Sequence, residues 1–236
     1  MGKEMDKETK AEFINFLKEY VQNERQEKFK KVLDERTKYI TVVLEDIHHP
    51  HNASAVIRSC DCFGIQDAHI IENEYEYDIN PFVVKGASKW VDLKKYNQEK
   101  NNTLSCINKL KKDGYRIIAT SPHANDKDLG DLDLKAGKIA LVFGTEETGI
   151  SDIVKENADE FIKIPMVGFT ESFNISVCAA ICLNELSNKA RKEGIDFKLT
   201  EEEKEHLTMQ WLVKSTRNPE KLEKEFHNRF SSNSKK

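Results

Sequence analysis

The sequence predicts an α/β fold, a mostly parallel sheet covered by helices on both faces, with helical extensions at both ends of the chain. Three observations carry this. Short β-branched apolar runs alternate with helical patterns between residues 39 and 190; such alternation makes consecutive strands parallel, because each crossover helix returns the chain to the same edge. Glycines at 64 and 114 stop two of the helical stretches. Phe143–Gly149 and Ile164–Asn174 are polar, glycine-containing loops that directly follow apolar runs, as ligand loops do beyond the carboxyl ends of strands in an open α/β sheet.

Taken in order, Thr9 stands three positions before Glu12, a capping-box spacing, and Phe13, Phe16, Leu17, Tyr20 and Val21 share one face of a helix over 9–21. Tyr39 to Leu44 reads as a strand. Ile47 to His51 is a loop, and Asn52 caps a helix through Phe63, stopped by Gly64. Residues 68–71 form the next strand, 89–93 a weaker one, 102–112 a helix, and 115–119 another strand. Residues 138–143 and 161–164 complete about six strands, and Asn174 caps a long helix through Leu186. Thr200 and Glu203 repeat the capping-box pattern, Asn218-Pro219 breaks that helix, and a last helix covers about 220–229. The chain divides into an N-terminal extension (1–38), a core (39–190) and a C-terminal extension with a basic tail (191–236).

With 236 residues, 38% of them hydrophobic, the chain can bury one good core but not a second full domain. No run approaches the roughly 18 apolar residues of a spanning helix, and Met1–Lys10 is charged, so the chain is read as cytoplasmic, with no membrane partner. Five cysteines without paired metal spacing read as free structural thiols. The net charge of -4 is uneven: after Val213 seven Lys or Arg face three acidic residues, which reads as a solvated helix face or as a phosphate-contacting arm. His48, His49 and His51 do not make a metal site, because adjacent histidines beside Pro50 point apart and nothing completes a ligand set. Ser172, His123 and Asp126 lack a nucleophile elbow, and no dinucleotide fingerprint follows any strand.

Three segments share the placement of a single site: Asn52–Arg58, Phe143–Gly149 and Ile164–Asn174. Asn52-Ala-Ser-Ala-Val-Ile-Arg58 with Phe63-Gly64, Leu141-Val-Phe-Gly-Thr-Glu146 with Gly149-Ile-Ser151, and Ile164-Pro-Met166 with Ser172-Phe-Asn174 resemble the three signature motifs of the SPOUT RNA ribose 2′-O-methyltransferases. Gly86-Ala-Ser-Lys-Trp90 resembles that family too, and the likeness spans about residues 10–225.

The resemblance implies a trefoil knot near residues 144–174, a homodimer, and S-adenosylmethionine as cofactor. It also implies that the substrate is a D-loop guanosine of tRNA, methylated on its ribose 2′-hydroxyl. By position it assigns cofactor contacts to Thr120, Gly144, Ile164, Met166 and Phe173, the last standing where many relatives have Leu. It makes Arg58 the catalytic arginine, with Asn52, Glu146, Ser172 and Asn174 around it and no metal. A guanidinium with a pKa above about 12 is a poor proton acceptor, so binding a phosphate and stabilising the developing alkoxide is the conservative role for Arg58. Ribosomal RNA or another tRNA position is the alternative substrate; a non-catalytic RNA-binding protein of the same fold is the alternative class.

Overall fold

The computed structural model describes residues 6–78, 80–121, 127–145 and 147–231. They fall into two compact units, one of residues 36–198 and one in which the two ends of the chain, up to residue 35 and from residue 199, come together.

The larger unit is a seven-stranded sheet in which every strand pairing is parallel. Its strands are β1 (Ile40–Glu45), β2 (Asp67–Ile71), β3 (Asp92–Tyr96), β4 (Arg116–Thr120), β5 (Lys127–Asp128), β6 (Ile139–Phe143) and β7 (Glu160–Lys163), in the spatial order β3-β2-β1-β6-β4-β7-β5. The central β1 and β6 are buried along their whole length, which is why they read as unbroken apolar runs rather than alternating ones. Helices α3 (Pro50–Phe63) and α7 (Ile175–Lys192) pack on one face. On the other, α5 (Asn102–Lys112) packs through Cys106, Ile107 and Leu110, and the short α6 (Asp152–Asn157) through Val154.

Register aligns the carboxyl ends. Leu44 stands opposite Phe143, Ala119 opposite Val142, and Thr120 opposite Ile162. The loops that leave β1, β6, β4 and β7 therefore start side by side, although their residues lie far apart in sequence.

Several local expectations change. Helix α1 (Lys7–Lys18) is capped by Asp6, whose carboxylate accepts from the Glu8 and Thr9 N–H groups, so Thr9 lies inside the helix. A second N-terminal helix, α2 (Asn23–Leu33), follows. His49 occupies the cap position of α3 and Pro50 its first turn, so Asn52 is helical. The weak strand at 89–93 is displaced to β3, because the left-handed backbone at Lys85 and Gly86, after the one-turn α4 (Pro81–Val84), leads into a tight turn over Ala87–Lys89. The two-residue β5 is an addition.

In the other unit α1 and α2 join α8 (Glu201–Ser215) and α9 (Pro219–Ser231). The Thr200/Glu203 capping box forms as the spacing predicts. Buried Phe226 packs against Phe13 and Phe16 with ring centroids 4.9 and 5.7 Å away, and Phe29 meets Trp211 edge-on at 5.5 Å.

Candidate active site

The loop after β6 is held closed by its own backbone. The Thr145 N–H donates to the Gly149 carbonyl at 2.9 Å and the Gly149 N–H to the Thr145 carbonyl at 3.1 Å. Gly149 takes φ of 70°, a left-handed conformation natural to glycine. A Cβ on Gly144 would lie 2.1 Å from the Gly149 oxygen, so only glycine allows this approach. Glu45, buried at the end of β1, anchors the far side of the loop: its carboxylate accepts from the Ser151 N–H (3.0 Å), the Ser151 hydroxyl (2.7 Å) and the Thr103 hydroxyl (2.7 Å).

Against this loop lies a cavity of about 750 Å³ whose walls include Thr120, Gly144, Ile164, Met166, Ser172 and Phe173. Thus the five positions matched to cofactor contacts, together with Ser172, meet in one place. Thr120 is fixed by donating its hydroxyl to the Val142 carbonyl at 2.9 Å. The volume lies within the range of small-molecule sites, about 300–1,000 Å³. Apolar Phe143, Ile150, Ile162 and Ile175 offer surface to a flat heterocycle, while Thr120, Ser121, Lys155 and Lys163 supply hydroxyls and cations for the polar end of an amino-acid-bearing nucleoside. The lining fits S-adenosylmethionine.

Ser121, Lys155 and Lys163 are not singled out by the sequence, and Cys178 and Cys182, which read there as structural thiols, also line the cavity. Ser121 and Lys163 adjoin matched residues at strand ends, and that adjacency was the available signal. Lys155 sits one turn into α6, where nothing marks it. The Cys182 thiol, hydrogen-bonded to Cys178 and buried, is held well above the usual thiol range and stays protonated.

Asn174 caps α7 by accepting from the Ser176 N–H at 2.9 Å, as its position before the helix predicts. Its side-chain amide also donates to the Asn52 Oδ1 at 3.2 Å, joining segments 122 residues apart. Asn52 is available for this because the α3 cap falls at His49. Asn52 also lines a second cavity, of about 320 Å³, which shares Thr145, Glu147, Thr148, Gly149 and Ile175 with the first. Arg58 is exposed on α3 and lines neither cavity. Glu146, like His123 and Asp126, lies outside the described residues. His48 and His49 do not point apart; their ring centroids are 4.6 Å from each other. Among the described residues no group of three or more His, Cys, Asp or Glu is arranged to hold a metal, and no helix is long and apolar enough to cross a membrane.

Residues 39–184 match the model of the SpoU rRNA Methylase family. A tRNA (guanosine(18)-2′-O)-methyltransferase of Borreliella burgdorferi is 41% identical over 210 residues, which cover 89% of this chain and 94% of that protein. Among solved structures, the A. aeolicus TrmH/SpoU tRNA modifying enzyme superposes with a TM-score of 0.74 at 28% identity, covering 83% of this chain and 98% of its own. The fold is shared with the SpoU methyltransferase AviRb of Streptomyces viridochromogenes in complex with AdoMet, at TM-score 0.55 and 20% identity, over 68% of this chain and 61% of that one.

Proposed function

Because the chain belongs to the SpoU rRNA Methylase family, we propose that it is a tRNA (guanosine-2′-O-)-methyltransferase that uses S-adenosylmethionine and modifies guanosine 18 in the D-loop. The observation that carries this reading is the meeting of Thr120, Gly144, Ile164, Met166, Ser172 and Phe173, brought from separate strand ends, around one cavity of about 750 Å³. Beside it, the hydrogen bond from the Asn174 amide to Asn52, which lines the smaller cavity, ties the start of α7 to that cavity's wall. The Borreliella burgdorferi likeness, spread over nearly the whole of both chains, supports tRNA as the substrate class. The AdoMet-bound relative supports the cofactor.

When bound, S-adenosylmethionine supplies an electrophilic methyl group on a sulfonium. In-line transfer to a ribose oxygen then asks the protein to align the groups and to make a poorly acidic hydroxyl reactive. Apolar walls and the backbone bonds between Thr145 and Gly149 shape the first chamber. Asn52 and Asn174, each fixed by a helix start, orient the acceptor ribose. Ser172 lines the same chamber and offers a hydroxyl toward it. Arg58 binds a substrate phosphate and stabilises the alkoxide as the hydroxyl proton leaves to solvent.

An exposed Arg58 acts in this way only if the working unit extends beyond one chain. Beside it, Ala55 and Ser59 of α3 and Val177, Ala180 and Ile181 of α7 line a largely apolar depression of about 590 Å³. Val167 and Phe169 are fully exposed in the loop that leads to α7. A homodimer across this face covers these groups and carries Arg58 toward a neighbouring chamber. Membership of this family supports a knotted path through 144–174. The same reading makes the enzyme cytoplasmic, where its tRNA substrate is processed.

The test is transfer of labelled methyl from S-adenosylmethionine to unmodified tRNA transcripts, with the modified nucleotide mapped after digestion. The expected product is 2′-O-methylguanosine in the D-loop, abolished by Arg58→Ala with cofactor affinity retained. Methylation of ribosomal RNA alone would overturn the substrate, and an active Arg58→Ala enzyme would overturn the role of the arginine.

A further inference from the structure

The second cavity has an aromatic wall. The His48 ring lies 4.7 Å from that of Tyr75 and 4.6 Å from that of His49, centroid to centroid. Tyr75 is 39% exposed, whereas Tyr77, Tyr115 and Phe143 are buried. Its position is imposed from below. Asp46, held at a left-handed φ of 50°, accepts with its carboxylate from the N–H groups of Asn73 (2.7 Å) and Glu74 (2.8 Å) and from the Asn73 side-chain amide (2.9 Å). The strained residue after β1 thus fixes the segment after β2, and with it the ring of Tyr75 against His48.

The same cavity contains Asn52 and borders the cofactor chamber along Thr145–Gly149. A group seated there lies beside the cofactor chamber. At about 320 Å³ the space takes a nucleoside but not a helix or a strand. Glu74 and Glu147 on its rim present only acceptor oxygens, which repel a phosphate and suit the N–H edge of a base such as guanine.

We propose that this cavity receives the base of the acceptor nucleoside, that His48 and Tyr75 form the wall on which the base stacks, and that Asp46 is the positioning residue of that wall. The proposal rests on the methyltransferase reading above and deepens it by naming how the target nucleotide is gripped. A stacked base is sequence-tolerant in its π-face contact, so the wall supplies affinity and position while the rim acceptors supply preference.

The experiment replaces the target guanine of a tRNA transcript with 2-aminopurine and follows its fluorescence on binding to the full chain. In parallel, kcat/KM for methyl transfer to the unmodified transcript and the affinity for S-adenosylmethionine are measured. Binding to the native protein is expected to quench the probe. Tyr75→Ala and His48→Ala are each expected to relieve the quenching and lower kcat/KM by about 5- to 150-fold, the loss of one stacked base. Cofactor affinity and melting temperature stay at the native values, which a merely structural role for Tyr75 does not predict, and Tyr75→Phe restores both readouts. Native quenching and kcat/KM in both alanine variants, in a chain that methylates tRNA, would overturn this proposal alone. A native chain that methylates no tRNA would overturn it together with the reading it rests on.

Discussion

His69 shows how far a single residue can tie the sheet to pH. It lies buried on β2, with its Nδ1 3.0 Å from the Tyr96 hydroxyl. Burial, reinforced by the charge of Lys94, lowers its pKa from 6.5 to about 3. The folded protein therefore keeps the imidazole neutral while the unfolded chain takes up a proton first as pH falls. Stability from this group is complete above about pH 6.5 and is lost progressively toward pH 3. Each pH unit inside that window costs about 1.4 kcal/mol, so about 2 kcal/mol is gone at pH 5. Urea unfolding at pH 7.5 and pH 5 should show native protein losing about that much more than His69→Gln; equal losses would mean the ring is already protonated in the fold. None of this was legible in the sequence, because one histidine in a short strand buried on both faces carries no sign of which side meets Tyr96. The motif residues were more legible. Thr120, Gly144, Ile164, Met166, Ser172 and Phe173 follow strand ends, and parallel strands bring those ends together whatever the intervening chain does. Arg58 shows where such reading fails: a helical position fixes spacing along α3, but not which way that face looks.

At the scale of elements, α7 joins two functions in its first residue. Asn174 stabilises the helix through the Ser176 N–H and orients Asn52 through its own amide. The two roles separate by substitution. Asn174→Ala removes both, with about 1 kcal/mol of stability lost with the cap and methyl transfer strongly reduced. Asn174→Asp keeps a good cap but offers Asn52 Oδ1 an acceptor instead of a donor, so its melting temperature stays near native while transfer still falls. Native turnover in Asn174→Asp would dissociate the pairing from catalysis. The caps at Asn174 and Thr200 were readable because each is a contact over two or three residues. Other elements were not, for equally physical reasons. Asp6 caps the Glu8 and Thr9 N–H groups, so the helix has already begun when the chain reaches Thr9. The two residues of β5 exist as a strand only by pairing with Ile162 and Lys163, and α2 buries only Phe29 and Leu33, too thin a stripe for a clear period.

At the scale of the molecule, charge and architecture divide the work. The residues between the two extensions carry most of the negative charge, whereas the stretch after Val213 carries seven basic residues against three acidic ones. A polyanionic substrate gains from the basic stretch and is repelled by much of the rest. Deleting residues 214–236 is a poor test of this, because Leu222 and Phe226 are buried and Phe226 packs on Phe13 and Phe16. Truncation would unravel the helical unit whether or not its charges touch RNA. Lys214, Arg217, Lys221 and Lys224 have exposed side chains, so replacing all four by alanine leaves that core in place. If each neutralises a phosphate, the slope of log affinity against log salt becomes shallower by about three in the variant, with weaker binding at low salt and little difference at high salt. Cofactor binding, confined to the other unit, stays native. An unchanged slope would move the phosphate contacts off this stretch and onto the sheet-bearing unit, where Lys155 and Lys163 already stand at the cofactor chamber.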